Sequence, residues 1–479
     1  MADHTLELPN RRLDGIANVV APFLPALVGM ALVGLVALVA APAAVVSDTW
    51  LALVSGREIV QHGLPSHDHL TVLARDRRWV DQEWLGQLAL YGVWRIGGLG
   101  GVSAFATGTV LFAYGLPTVA AARTAVNPSI PVFLPLLAIG AGAFALQPRP
   151  QTLALAAYSL VLYLLLTDLA GTRRRTFLVF PILAVWANVH GSVVLGALLV
   201  VIYALCLLAR SVRRRAILFL AAPACVFASP YALSLPHYYR AMLLDPPFRR
   251  LGIAPEWQPA GLSALFAGFY LLVAVAILVV ARRRSRIAMF ELLVLVVTAA
   301  GGFFALRNTV WFALAALFVL PRVSTSSEKL KPRMSKPLAL ALAVVTALGV
   351  LVAVDRQSSS ASPRGLTARA AAAVGASVKR TGGAIFADTR HADWLLWKVP
   401  SARGRVAYDA RLELLTSSQL AEIGPIIRHG AASPLIHSYT FAVLSPRQAV
   451  ALERSGWGRI TYEDRSTALV LRSTDGRRR

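Results

Sequence analysis

The sequence predicts a polytopic α-helical membrane protein ending in a small α/β domain, and three observations predict it. Of 479 residues, 56% are hydrophobic and only 15% charged, and the mean hydropathy is +0.60, a balance that excludes a water-soluble globular chain. Windows of about 17–25 mainly apolar residues, each enough to cross a hydrocarbon core of ~30 Å, recur along the first three quarters of the chain. Beyond the serine-rich stretch Ser358–Pro363 the composition shifts to that of a soluble unit of alternating strands and helices.

Taken in order, the apolar windows predict about eleven transmembrane helices. They are Val19–Val46, Val102–Ala122, Ile130–Leu146, Gln151–Leu169, Phe177–Val189, Val193–Ala209, Ile217–Ala228, Leu262–Ala281, Ile287–Leu306, Val310–Leu320 and Leu338–Val354. The first is read as an uncleaved signal anchor: Ala40–Ala44 offers small residues of the kind found at cleavage sites, but the apolar run is too long for a secretory h-region. Residues 1–18 are then a cytoplasmic N-terminus, 19–355 the transmembrane domain with its first outward loop at 47–83, 356–366 a linker, and 367–479 an extracytoplasmic domain.

Within that last domain, Gly383–Asp388 and Arg405–Asp409 read as strands that each end in an aspartate, with the helix Ala392–Lys398 between them. Ser418–His429 and Arg447–Ser455 read as helices, and Tyr439–Leu444, Arg459–Tyr462 and Ala468–Leu471 as further strands. The alternation predicts a mainly parallel sheet. Asp388 and Asp409 sit where such sheets bind ligands, although the stronger expectation for Asp after a strand is a cap or turn residue.

A net charge of +24 would suit nucleic acid, but the placement of the basic residues points to a membrane instead. Arg11–Arg12, Arg123, Arg173–Arg175, Arg210 to Arg215, Arg282 to Arg286 and Lys329 to Lys336 all fall on one side when the spans are counted from a cytoplasmic N-terminus. No nucleic-acid partner is expected; the localisation is a multi-pass protein of the plasma membrane. The two cysteines, Cys206 and Cys225, lie inside predicted spans, so no disulfide framework or zinc spacing is available.

The unusual polar residues fall on the opposite side. The loop from Ser47 to Glu83 opens on Asp48, directly after the first span, where an ionisable group is a functional candidate. Asp48 to Arg57 has helical spacing and is expected to lie along the membrane interface. His67-Asp68-His69 is read as an exposed turn, with metal binding as the alternative. Trp79 and Trp84 bracket Asp81 and Glu83, tryptophan being an interfacial anchor, and a second amphipathic segment runs through Gln87, Tyr91 and Trp94. Arg149 between two prolines, His190, the loop Ser229–Gly261 with Tyr231, His237, Tyr238, Glu256 and Trp257, and Arg307 complete the outward set.

In this organisation the chain resembles the GT-C superfamily of integral membrane glycosyltransferases, which use polyprenyl-phosphate-linked sugars. The likeness covers essentially the whole chain. It lies in an inside N-terminus, the number of spans, a first outward loop of interfacial helices, an acid just after span one, and an outward soluble domain. It implies Asp48 as the catalytic acid, with Asp81 or Glu83 as the second acidic site. The paired acids of protein mannosyltransferases and lipid A aminoarabinose transferases are here a single acid, Asp48-Thr49, and the Trp-Trp-Asp-Tyr-Gly signature of oligosaccharyltransferases is absent. The resemblance is therefore to an uncharacterised branch.

The implied activity is an inverting transfer of a sugar from a polyprenyl-phosphate donor to an extracytoplasmic glycan, lipid or protein. Such chemistry needs a carboxylate base, here Asp48, and cations on the phosphate leaving group. Arg149 and Arg307 are the phosphate candidates, since arginine grips phosphate with two parallel hydrogen bonds; snorkelling to headgroups is the plain alternative. Arg57, His190, Tyr231, His237 and Glu256 are further substrate-binding candidates, and Trp50, Trp79, Trp84 and Trp257 a candidate aromatic platform. Asp81 and Glu83 are also candidate ligands of a divalent metal, Mg or Mn, the one cofactor contemplated. Two competing classes stand beside this reading: a transporter or flippase of a lipid-linked substrate, and a non-catalytic cell-envelope scaffold.

Overall fold

The computed structural model describes residues 23–124, 129–169, 174–244, 246–261, 266–324 and 365–473. The expected cytoplasmic N-terminus, the span Leu338–Val354, the serine-rich linker and the clusters Arg11–Arg12 and Lys329–Lys336 lie outside these residues. The chain begins with α1 (Leu24–Ala44), α2 (Ser47–His62), α3 (Trp84–Thr124), α4 (Ile130–Ala141), α5 (Pro150–Asp168), α6 (Val179–Val189) and α7 (Val193–Ala209). It continues through α8 (Arg213–Phe219), α9 (Leu235–Leu243), α10 (Ala267–Arg282), α11 (Met289–Phe304) and α12 (Thr309–Ser324). Among the described residues three helices, Trp84–Arg123, Pro150–Asp168 and Leu306–Ser324, are long and apolar enough to cross a membrane, while α4, α7, α10 and α11 are apolar but shorter.

Packing explains the bundle. Large apolar side chains such as Phe105, Phe133, Ile217, Leu271 and Ile277 face outward, which is stable against lipid and costly against water. The expected short span Val310–Leu320 belongs to α12, where every residue from Thr309 to Pro321 is buried; this helix is the centre of the bundle. The expected span Ile217–Ala228 is not one straight helix. α8 passes into a 3₁₀ turn, Ala222–Phe227, and then bends by 97° into the segment carrying α9; Pro230, which has no backbone N–H to donate, stands at the break. α3 is broken at Gly98, whose φ of 57° ends the amphipathic segment before the span proper.

After the bundle come α13 (Ala368–Thr381), β1 (Ile385–Ala387), α14 (Thr389–Lys398), α15 (Ser417–His429), β2 (Phe441–Leu444), α16 (Pro446–Arg454), β3 (Gly458–Glu463) and β4 (Ala468–Arg472). The sheet order is β1-β2-β4-β3, and only β1 and β2 are parallel. The expected mainly parallel sheet is thus mixed: Asp464 accepts the backbone N–H groups of Ser466 and Thr467 in a tight turn, so β3 returns directly as antiparallel β4. Arg405–Asp409 is not a named strand. Its backbone is clamped between β1 and the first loop, with Val72 N–H donating to Val406 O at 2.8 Å and Ile385 N–H to Arg405 O at 2.8 Å.

That clamp joins the first loop to the C-terminal sheet, and the two share one core in which Trp50, Leu53 and Val54 meet Trp394, Leu395 and Trp397. α2 is built into this core. It is wedged between α3 and α14: a Cβ on Gly56 would come within 2.5 Å of Gln87 O, and Arg57 donates to Leu396 O at 3.0 Å. The turn at His67-Asp68-His69 is likewise not simply exposed, since Asp68 is fully buried and accepts from Thr71 Oγ1 at 2.7 Å.

Candidate active site

One cavity of about 470 Å³ lies where the bundle, the first loop and the C-terminal unit meet. Asp48 stands in the first turn of α2, where the helix dipole favours a carboxylate. Arg149 reaches it from the extended residue capping α5, placed there by Pro150 at the first helical position. Its Nη1 donates to Asp48 Oδ2 at 2.8 Å and to Glu256 Oε2 at 2.7 Å. Glu256, on the turn Pro255–Trp257, also meets Arg307 Nη1 at 3.2 Å. Arg307 lies over the Trp257 ring at 4.5 Å and donates to Gln151 Oε1 at 3.2 Å.

Acid and cation thus alternate along Asp48, Arg149, Glu256 and Arg307. Burial works against the Glu256 carboxylate, but the two guanidiniums outweigh it and bring its pKa down to about 2. Burial also opposes the Arg149 charge, and Glu256 and Asp48 overcome it, raising that pKa further. Arg149 is only 2% exposed, yet its Nε and Nη2 have no hydrogen-bond partner among the described residues. A buried guanidinium with free donors is costly and is normally met by an anion.

A second group of acids behaves differently. Burial lifts Glu83 to about 7 against the pull of Arg307, with the Asp48 charge adding to the rise. Its Oε1 is 3.3 Å from His190 Nε2. The Ser192 backbone N–H donates to His190 Nδ1 at 3.0 Å, which puts the ring proton on Nε2, facing Glu83. Burial and the nearby Arg307 and Arg149 hold His190 well below its usual pKa. Asp81, buried beside the Glu83 charge, is likewise lifted to about 7, and Gln87 Nε2 donates to its Oδ1 at 2.8 Å.

The C-terminal unit supplies the remaining wall. Arg411 donates to Asp68 Oδ1 at 2.6 Å and to both oxygens of Asp409, and lies over the Trp79 ring at 4.1 Å. Glu413, two residues on, is raised by burial to about 7. Asp388 caps α14, accepting from the Arg390 and His391 backbone, so it takes the structural role open to it.

Of the candidate residues, Asp48, Trp79, Asp81, Glu83, His190, Glu256, Trp257 and Arg307 line this cavity, with Arg149 bonded behind two of them. Others stand apart. Arg57 stacks on Trp397 at 4.5 Å, Trp50 is buried in the shared core, and Tyr231 donates its hydroxyl to Pro65 O at 2.7 Å. Trp84 supports the site from behind, its Nε1 donating to Asn188 Oδ1 at 2.8 Å, and His237 is exposed outside the lining. Gln82, Tyr239, Arg411 and Glu413 line the cavity without having been singled out by sequence. The run Asp409-Ala410-Arg411 after a predicted strand is the only signal that could have marked any of them. Among the described residues no three His, Cys, Asp or Glu side chains are grouped for a metal ion; Asp48 and Glu256 face guanidiniums.

No protein-family model and no curated protein sequence matches the chain. Among solved structures, ArnT from Cupriavidus metallidurans bound to undecaprenyl phosphate superposes with a TM-score of 0.50 at 14% identity, over 95% of this chain and 98% of that one. The apo form of the same ArnT gives 0.48 at 15% identity over 92% and 96%. The apo oligosaccharyltransferase of Archaeoglobus fulgidus gives 0.46 at 11% identity over 93% and 74%. At these identities the likeness is one of fold.

Proposed function

From the GT-C superfamily fold that this chain has, we propose that it is a membrane glycosyltransferase moving a sugar from a polyprenyl-phosphate donor to an extracytoplasmic acceptor. The observation that carries the reading is the buried Arg149, with Nε and Nη2 unpartnered beside a second arginine and an acid after span one. The ArnT sharing the fold holds undecaprenyl phosphate, a ligand of the right charge for that pair. The arginine clusters at Arg210 to Arg215 and Arg282 to Arg286 follow the far ends of α7 and α10, which supports an outer-side position for the cavity.

In the proposed reaction Asp48 takes the acceptor hydroxyl proton as that oxygen bonds the anomeric carbon. The carbon–oxygen bond to phosphate breaks, and its electron pair leaves on the polyprenyl phosphate, where Arg149 and Arg307 meet the growing charge. Attack opposite the phosphate inverts the anomeric centre. Phosphate competes with Asp48 for Arg149, leaving the carboxylate free to accept the proton. Glu83, whose pKa of about 7 suits proton transfer near neutrality, relays it onward.

Purified protein in nanodiscs, offered a panel of polyprenyl-phosphate sugars, is expected to bind one saturably and transfer its sugar. Asp48→Asn should keep that binding and lose transfer by about 10³-fold. Binding of no donor by folded protein would overturn the reading in favour of a scaffold, and binding without transfer would overturn it in favour of a transporter.

Two further outcomes test the chemistry. A carboxyl with a raised pKa is ionised only above it, so kcat/KM is expected to fall as the pH drops through about 7. Glu83→Gln should remove that limb of the pH profile, and an unchanged profile would exclude the relay. Since Arg149 and Arg307 supply the positive charge, transfer is expected to persist in EDTA; a loss restored by Mg or Mn would bring a divalent cation into the site.

A further inference from the structure

The wall of the cavity away from Arg149 carries a separate set of unmet polar atoms. Asp81 Oδ2, Gln82 Oε1, Gln87 Oε1 and Arg411 Nη1 belong to side chains that line the cavity and are at most 5% exposed, and none has a hydrogen-bond partner among the described residues. Buried polar groups are seldom left unpaired, and four on one wall of one cavity indicate a wall built for a polar ligand. Two of the side chains are held from behind: Asp81 by Gln87 Nε2, and Arg411 by Asp68 and Asp409.

The chemistry of the wall selects the ligand class. Its one cation, Arg411, is already balanced by two carboxylates, and the nearby acids are Asp81, Glu83 and Glu413. Nothing there would offset the charge of an anionic acceptor. Three free acceptors and one free donor instead match a neutral molecule that both donates and accepts through several hydroxyls. We infer that residues 81–87, where the first loop passes into α3, and the C-terminal segment 409–413 form an acceptor subsite for a neutral glycan, which presents one hydroxyl to Asp48. This rests on the transferase reading and narrows its acceptor to carbohydrate; it also makes the C-terminal unit part of the site.

The test uses full-length protein in nanodiscs saturated with undecaprenyl phosphate, read by saturation-transfer NMR. The probes are neutral methyl hexosides and pentosides and their disaccharides, glucose 1-phosphate as a phosphomonoester, and a blocked Ser/Thr peptide. At least one neutral glycoside is expected to bind saturably, and Gln82→Met and Gln87→Met should each weaken it about tenfold while leaving undecaprenyl phosphate binding unchanged. Undecaprenyl phosphate binding with no glycoside bound overturns the inference. So does binding of the phosphomonoester or the peptide in the glycoside's place, or glycoside affinity indifferent to both variants. Failure of undecaprenyl phosphate itself to bind overturns the transferase reading and this inference together.

Discussion

Arg149→Ala is expected to abolish donor binding, measured as the affinity of nanodisc-embedded protein for undecaprenyl phosphate. The wild-type guanidinium is buried, with one nitrogen shared between Asp48 and Glu256 and two left free. Its removal takes away the fork for phosphate and leaves two carboxylates facing that space without it, so the site changes from receptive to repulsive. Truncating one member of a buried charged set costs about 2–5 kcal/mol, which is roughly 30- to 4,000-fold in affinity. Arg149→Lys separates charge from geometry: it keeps the cation between the acids but cannot bond phosphate in parallel, and should recover only part of the loss. Wild-type affinity in Arg149→Ala, with folding verified, would remove this residue from the phosphate site and return it to structural pairing.

Arg411→Ala is expected to unseat the C-terminal unit from the first loop. Arg411 is the one cation bonded to both Asp68, on that loop, and Asp409, and all three side chains are buried. Burial alone would raise the Asp68 pKa, and it is Arg411, with Thr71 and the Leu70 backbone, that brings it below the usual range. Without the guanidinium two buried carboxylates face each other, at a cost of about 3–5 kcal/mol. Thermal unfolding and limited proteolysis between residues 381 and 417 should both report the change. A triple variant, Asp68→Asn with Asp409→Asn and Arg411→Met, removes the charges together and is expected to regain much of the stability. A melting profile of Arg411→Ala identical to wild type would show that the shared apolar core around Trp79 and Trp394 holds the units together without the ion pairs.

These two arginines illustrate how far the sequence could be read. Arg149 stands between prolines at the boundary of an apolar window, so its place at a helix end, its candidacy for phosphate and its distance from the basic clusters were legible in one dimension. Its partnership with Glu256, 107 residues away, was not. Arg411 sits in a soluble unit among ordinary polar residues, and no local signal ties it to Asp68, 343 residues earlier. The same limit applies to whole elements. Asp48 to Arg57 has an amphipathic spacing that is visible locally, but its packing on α14 and the pairing of Asp48 with Arg149 join residues far apart in the chain. Arg405–Asp409 has strand-like composition, yet its backbone partners come from the first loop as well as from β1.

By itself the sequence determined the class of molecule, the apolar helices and the residues standing at their ends, because hydrophobic runs and charge placement are local properties that water and lipid sort without reference to distant residues. Only the tertiary structure decided which acids are ion-paired and which are lifted to about 7, and which residues of the C-terminal unit enter the cavity. Those outcomes depend on burial and on separations of a few ångströms between groups far apart in the chain, where electrostatic energies change steeply with both.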